Sequence, residues 1–436
     1  MKQIENIIEP GNIVEVKTKD SIYKGIIMER PKLAEDSFLV IKLENGYDIG
    51  LRKEEIEEIK LIGKVVKKEK KKKIEITESD SKNIRVAIIS TGGTISSRVD
   101  YYTGGVYASF SAEELLESYP ELRNFANIKT IDLMRVMSED MNPKLWIKIA
   151  EAVTNELSSD DIKGVVIAHG TDTMHYTSAA LSFMLQDIGK PIALTGSQRS
   201  PDRGSADAFI NLLCSVIWAS SKYSNVAVVM HGSMEDTFCF AHLGTKVRKM
   251  HTSARDAFQS INTKPLAKIF PNGKIEEISE DIKKRSDTKI KLMKEIEERV
   301  ALIKIYPGID PEIVNFYIEK KFKGIVFEGT GLGHLPTIFK EKSFLEYIKK
   351  AVDSGMSIAM TSQCIYGRVN PYVYTNLRKL SSIGVIYCED MLPETAYVKL
   401  MWVLGQTKEQ GKVKDLMLKN FAGEISERSV INKKVS

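Results

Sequence analysis

Two short apolar runs, each ending abruptly in glycine and threonine, constrain this chain more than any other feature. Val86-Ala87-Ile88-Ile89 leads into Thr91-Gly92-Gly93-Thr94-Ile95, and Val165-Val166-Ile167-Ala168 leads into His169-Gly170-Thr171-Asp172-Thr173. Both runs are β-branched and continuous, the pattern of strands covered on both faces within a parallel sheet. Ligands of open α/β sheets gather at the carboxyl ends of such strands. Each motif therefore sets hydroxyls at a strand mouth, where glycine permits close backbone approach. Two phosphate-binding alternatives fail. No Lys-Ser/Thr pair follows Gly92-Gly93 as a P-loop requires, and the third spaced glycine of a dinucleotide fingerprint is missing. A purely structural turn could carry the same Gly-Gly-Thr letters. Finding the pattern at two strand ends favours nucleophile chemistry.

From Arg85 onward, strands alternate with helical patterns at 112–117, 143–157, 174–186 and 206–220. Ile192-Ala193-Leu194-Thr195 and Val226-Ala227-Val228-Val229-Met230 continue the strand series. The alternation predicts an α/β fold with a larger, doubly wound parallel-sheet domain over residues 85–278. The charged stretch 279–298 reads as helical without a clear apolar face, and so as a connector. Strands at 300–306, 324–327, 357–361 and 385–388, with a helix at 343–354, predict a smaller C-terminal α/β domain over 299–436. Its Glu328-Gly329-Thr330-Gly331-Leu332-Gly333 stretch reads as a glycine turn at a strand end. Ahead of all this, residues 11–62 alternate like short strands: Ile13-Val14-Glu15-Val16, Tyr23-Lys24-Gly25-Ile26-Ile27, Phe38-Leu39-Val40-Ile41-Lys42-Leu43 and Tyr47-Asp48-Ile49. Asn45-Gly46 between the last two is a strong hairpin signal. The expectation is a small SH3-like or Sm-like β-barrel in residues 1–75, followed by a linker over 76–84.

A chain of 436 residues exceeds what one ordinary core supports. Its apolar stretches all fall short of the ~18 residues a membrane helix needs, and Met1-Lys2-Gln3-Ile4-Glu5-Asn6 shows no secretory pattern. No membrane association and a cytoplasmic location are expected. Four cysteines without C-x-x-C spacing and six histidines without an H-E-x-x-H pattern predict no metal site. The net charge of +5 owes most to residues 64–73, which hold seven lysines and one glutamate. Such a run reads as a solvated linker, or as a contact for a polyanion such as RNA.

Taken in order, the two threonine motifs, Thr195-Gly196-Ser197-Gln198-Arg199, and Lys249 ahead of Asp256-Ala257-Phe258 resemble the bacterial-type L-asparaginase family from about residue 85 to the C-terminus. The resemblance implies that both α/β domains are of asparaginase type. By it, Thr94 matches the nucleophile on a mobile lid loop, spanning 96–109 here, and Tyr107 matches the lid tyrosine, with Tyr101 and Tyr102 as competitors. Thr171, Asp172 and Lys249 match a second catalytic cluster, in which lysine and carboxylate polarise the threonine. A threonine hydroxyl must lose its proton to a neighbour before it attacks. Thr94 is favoured as the acylated residue over Thr171, and Lys249 stays open as base or electrostatic support.

Met137-Ser138-Glu139-Asp140-Met141 matches the family's Ser-Gln-Asp substrate loop, with Glu139 departing from the usual glutamine. Ser138 would hold an α-carboxylate while Glu139 and Asp172 hold an α-ammonium, with Gly93 and Gly170 lining the substrate. The same stretch, running into Asn142-Pro143, also reads as a helix N-cap.

Plain asparaginases begin almost at the threonine loop, whereas some eighty residues precede it here. With Tyr366-Gly367-Arg368-Val369-Asn370-Pro371-Tyr372, this extension is similar to the asparaginase-like D chains of archaeal tRNA-dependent amidotransferases. That resemblance implies a glutaminase supplying ammonia to a partner E subunit. No cofactor is expected in this chain, ATP and magnesium being used by the partner. Glu-tRNA(Gln) would bind mainly through the partner, and the assembly would be a D2E2 heterotetramer containing a homodimer of this chain. Two other readings stand beside it: a free-standing L-asparaginase carrying an extra barrel, and a non-catalytic tRNA-binding scaffold.

Overall fold

The strand-forming runs near the N-terminus pair as one antiparallel module. In the computed structural model, which describes residues 9–28, 37–43, 48–64, 84–99, 106–108, 112–200 and 206–429, these are β1 (Asn12–Thr18), β2 (Ile22–Ile27), β3 (Phe38–Leu43), β4 (Asp48–Arg52) and β5 (Ile56–Lys64). Their order is β4-β3-β2-β1-β5, closed around Val14, Val16, Ile27, Leu39 and Ile41. The fifth strand was not anticipated. Its sequence, IEEIKLIGK, keeps no strict alternation because almost none of it is buried. The predicted hairpin forms, with Phe38 opposite Arg52 and Lys42 opposite Asp48, although its Asn45-Gly46 turn lies outside the described residues. So do the lysine run beyond Lys64 and nearly all of the expected linker.

The larger sheet starts with β6 (Arg85–Gly92), followed by the short hairpin β7 (Ser97–Val99) and β8 (Val106–Ala108), then α1 (Ala112–Ser118) and β9 (Asn127–Val136). Next come α2 (Pro143–Leu157), β10 (Ile162–Ala168), α3 (Met174–Met184), β11 (Leu185–Gln186), β12 (Ile192–Thr195), α4 (Ala208–Ala219) and β13 (Val226–His231). Strands β6, β10, β12 and β13 are parallel neighbours, as predicted, and β9, which was not among the strands named, adds a further parallel strand beside β6. Ala87 and Ile89 enter the core under α2 and α3, while Val86 and Ile88 enter the core under α4. Burial on both faces explains why β6 shows no polar alternation.

Beyond β13 the sheet turns antiparallel through β14 (Cys239–Leu243), and, after the two-stranded pair β15 (Val247–Lys249) and β16 (Phe258–Ser260), through β17 (Ala267–Ile269) and β18 (Ile275–Glu277). Short connections without a crossover helix permit only this direction of pairing.

The connector differs from its sequence reading. No helix forms between β18 and β20; instead β19 (Lys291–Leu292) pairs with β11, and Ile290, Leu292, Met293 and Ile296 pack on the main core. Backbone bonds from Met293 N–H to Met184 O (2.7 Å) and from Glu297 N–H to Met401 O (2.9 Å) satisfy this extended chain, so tertiary pairing overrides the helical composition.

The second α/β unit contains β20 (Val300–Lys304), α5 (Ile313–Glu319), β21 (Gly324–Gly329), α6 (Leu345–Asp353), β22 (Ser357–Ser362), α7 (Thr375–Ser382) and β23 (Ile386–Tyr387), the four strands parallel in chain order. Helices α8 (Pro393–Gln406) and α9 (Gln410–Leu418) close the fold. Nearly every side chain of α8 is buried, because it lies between the second sheet and α3 and joins both halves in one core. Among the described residues no helix is long and apolar enough to cross a membrane.

Candidate active site

The two threonine motifs meet because β6 and β10 are adjacent and in register, Ile89 opposite Ile167. Thr91 Oγ1 donates to Ala168 O (2.9 Å), tying one strand end to the other. Beyond it Gly93 turns with φ +75°, and a Cβ built there would lie 2.3 Å from Gly170 N. A Cβ on Gly170 would in turn meet Ser138 Cβ at 2.7 Å and Oγ at 2.8 Å. Only glycine lets the three loops touch. Thr94 follows at once, half-buried, at the start of a single 3₁₀ turn.

Thr171 is buried, and its Oγ1 accepts from Lys249 Nζ (2.8 Å), which also donates to Asp172 Oδ1 (2.6 Å). The lysine side chain is 10% exposed and the carboxylate 65%. One ammonium thus bridges a buried hydroxyl and a solvated carboxylate, an arrangement that holds the hydroxyl in place and polarises it. Lys249 reaches the cluster from β15, whose pairing with Phe258 on β16 explains why the Asp256-Ala257-Phe258 segment accompanies it.

Ser138 completes the floor. Its Oγ accepts from Asp172 N–H (3.3 Å) and its carbonyl accepts from Thr173 Oγ1 (2.6 Å). Glu139 is exposed on the short turn Ser138–Asp140 beside it. The capping reading of this stretch also holds, since Asn142 caps α2 by accepting from Leu145 N–H (3.3 Å), with Pro143 in the first turn. The backbone of Tyr107 lies in β8 opposite Arg98; its side chain, and Tyr101 and Tyr102 altogether, fall outside the described residues. Behind the Gly196–Arg199 loop, the buried Asp207 carboxylate accepts from Gln198 N–H (3.0 Å) and Arg199 N–H (3.1 Å), and Asn211 Nδ2 donates to Gly196 O (2.9 Å).

Known proteins share this architecture. Residues 85–283 match the family described as Asparaginase, N-terminal, and residues 299–417 match the Glutaminase/Asparaginase C-terminal domain. Residues 8–62 match the GatD N-terminal domain. The thermostable L-asparaginase from Thermococcus kodakarensis superposes with a TM-score of 0.72 at 31% identity, covering 79% of this chain and 100% of that one. The D subunit of the glutamyl-tRNA(Gln) amidotransferase of Pyrococcus abyssi is 52% identical over 97% of this chain and 96% of its own length. The same-named protein of Methanothermobacter thermautotrophicus is 46% identical over 97% and 95%. The chain belongs to the family of glutamyl-tRNA(Gln) amidotransferase D subunits. It is an enzyme chain of that family with an asparaginase-type hydrolase domain, which removes the non-catalytic scaffold from consideration.

Several groups around the site were not anticipated. Arg248, next to Lys249, pairs with the buried Glu394 of α8 (3.0 Å), linking the site strand to the helix between the two halves. Burial holds the Glu394 carboxyl above its usual range. No local signal marks this pair, because its members lie far apart in sequence. His169 in the second threonine motif, His175 in α3 and His242 in β14 are buried as well. Burial lowers His169 to about 4, and lowers His175 and His242 to about 3, His175 with further help from Arg248 and Lys249.

All three imidazoles are thus neutral when folded, while in the unfolded chain they titrate near 6.5. As pH falls through 6.5 the unfolded state takes up protons that the folded state refuses, so stability is lost on the acid side. At pH 5.5 this amounts to about 1.4 kcal/mol per histidine, about 4 kcal/mol for the three. Urea midpoints measured between pH 7.5 and 5 are expected to fall accordingly; His242→Gln, which removes one of the three, should flatten the slope by about a third.

Proposed function

We propose that this chain hydrolyses glutamine to glutamate and ammonia and delivers the ammonia to a partner subunit, which uses ATP and magnesium to convert Glu-tRNA(Gln) into Gln-tRNA(Gln). What supports this most is the Lys249 ammonium bridging Thr171 and Asp172 (2.8 and 2.6 Å), in a chain 52% identical along nearly its whole length to a protein named as the D subunit of that amidotransferase.

Thr94 Oγ attacks the side-chain amide carbon of glutamine as its proton leaves toward a neighbouring base, and the tetrahedral intermediate collapses to an acyl ester as the amide nitrogen departs, protonated, as ammonia. Water then cleaves the ester to glutamate and restores the hydroxyl. Lys249, Thr171 and Asp172 form the second cluster, which places a polarised hydroxyl and a positive charge beside the reacting carbonyl. Ser138 binds the substrate α-carboxylate, the exposed carboxylates of Glu139 and Asp172 bind its α-ammonium, and Gly93 and Gly170 let the backbone close on it. Tyr107, matched to the family's lid tyrosine, orients the Thr94 hydroxyl. The chain itself carries no cofactor. Two copies pair with two E subunits in a cytoplasmic D2E2 assembly, with tRNA held chiefly by E.

Ammonia release from glutamine and from asparagine, measured with the chain alone and with the E subunit plus Glu-tRNA(Gln), tests the reading. Low activity alone, preference for glutamine, and a rise on assembly are expected. Strong partner-free hydrolysis of asparagine would instead indicate a free-standing asparaginase.

A further inference from the structure

His169 opens the second threonine motif, yet its imidazole takes no part in the proposed reaction. The ring is fully buried. Its Nδ1 lies 2.6 Å from the carbonyl oxygen of Gly170, and its Nε2 lies 3.0 Å from Thr177 Oγ1 on α3. That hydroxyl in turn receives Trp146 Nε1 from α2 at 3.1 Å. Trp146 and Thr177 are buried as well.

The donors and acceptors along this series of contacts admit one assignment. A carbonyl oxygen only accepts, so Nδ1 carries the ring proton. Burial keeps the ring neutral, with its pKa lowered to about 4, which leaves Nε2 a bare lone pair in need of a donor. Thr177 supplies its single hydroxyl hydrogen. The indole, which can only donate, fills an acceptor position of the same hydroxyl. The direction therefore runs from Trp146 to Thr177 to His169 to Gly170 O.

We infer that His169 is a positioning residue of this hydrolase, fixed as the Nδ1–H tautomer by Thr177 and Trp146, and that it sets the orientation of the Gly170–Thr171 peptide. The inference rests on the reaction proposed above. The described peptide bonds are all trans, so turning the Gly170 carbonyl toward the buried ring sends the Thr171 N–H the opposite way, away from the ring. On one side of this peptide is Thr171, whose hydroxyl Lys249 grips; on the other is Gly170, whose nitrogen and Cα lie against Gly93 and whose Cα faces Ser138. A rotated peptide would displace three parts of the site together. Gly170 has no side chain to resist such rotation; the imidazole provides the restraint.

The test uses the spacing of side-chain nitrogens. An Asn side-chain amide places its N–H near the position of Nδ1, whereas a Gln amide places it near Nε2. In the assembled enzyme, His169→Asn should retain most of kcat, while His169→Gln and Trp146→Phe/Thr177→Val should lower kcat roughly ten- to a hundredfold with KM changed far less. Ring-nitrogen NMR of ¹⁵N-histidine-labelled protein, assigned by loss of the signal in His169→Asn, should show a Nδ1–H tautomer that does not titrate from pH 8 to 5.5. A Nε2–H tautomer, or equal activity in the Asn and Gln variants, would overturn the inference. Should glutamine prove not to be the substrate, the wild type will fail with it too, and the tautomer still decides the role of His169.

Discussion

Lys249→Met is expected to lower glutamine hydrolysis by roughly 10²–10⁴-fold in kcat while the fold survives. The ammonium donates to Thr171 Oγ1 and to Asp172 Oδ1, so its loss removes both the charge beside the reacting carbonyl and the group that orients the hydroxyl. Methionine occupies nearly the same space without a charge. Asp172, 65% exposed, stays hydrated when its partner goes, so no buried charge is stranded and stability should change by less than about 1 kcal/mol. Lys249→Arg should fare little better, because a planar guanidinium cannot reproduce a compact ammonium that touches two oxygens on adjacent residues. Steady-state ammonia release with thermal unfolding on the same samples checks both statements. Activity within tenfold of wild type in Lys249→Met would remove the lysine from the chemistry.

The largest stability effect is expected far from the site, at Lys399 of α8. Lys399 and Glu424 are both wholly buried and 2.6 Å apart. The ammonium also donates to Met417 O (2.7 Å) and Lys419 O (2.6 Å), which closes the C-terminal end of α9. The carboxylate accepts from Phe421 and Ala422 N–H, with its nearest contact at 2.7 Å. Burial pulls the Lys399 pKa below the ordinary lysine range, and the Glu424 charge opposes that shift. With every donor satisfied, the pair is tolerated; with one partner gone, a buried charge is stranded. Lys399→Met should cost about 3–5 kcal/mol, read as a fall in urea midpoint. Lys399→Met/Glu424→Gln should recover a large part of it, since the amide oxygen still accepts from the backbone and no net charge is left behind. A single variant as stable as wild type would show that the tail from residue 419 contributes little.

Much of the fold was legible because its signals are local. Strands β6, β10, β12 and β13 announce themselves as β-branched runs buried on both faces, and α2 by Asn142-Pro143 at its start. What escaped depends on distant partners. Strand β19 is extended because Leu185 and Gln186 offer it an edge, which no composition of residues 279–298 reveals. Helix α8 is buried nearly all round because it lies between the second sheet and α3, so its periodicity is weak.

The site divides the same way. Glycine next to threonine at a strand end is a local pattern, so Thr94, Thr171 and Asp172 could be named, and the resemblance supplied Lys249. The ion pair Arg248–Glu394 and the series Trp146–Thr177–His169 join residues that only packing brings together. For His169 one cue did exist, its place at the head of the motif, but the partner that gives it meaning sits in the next helix.

Whether the site exists to furnish ammonia from glutamine is decided by the assembled amidotransferase carrying Thr94→Val, supplied with Glu-tRNA(Gln), ATP and magnesium, and with either glutamine or ammonium chloride as nitrogen source. Formation of Gln-tRNA(Gln) should vanish with glutamine and proceed at the wild-type rate with ammonium. Undiminished use of glutamine by the variant, or equal failure with both nitrogen sources, would contradict that role.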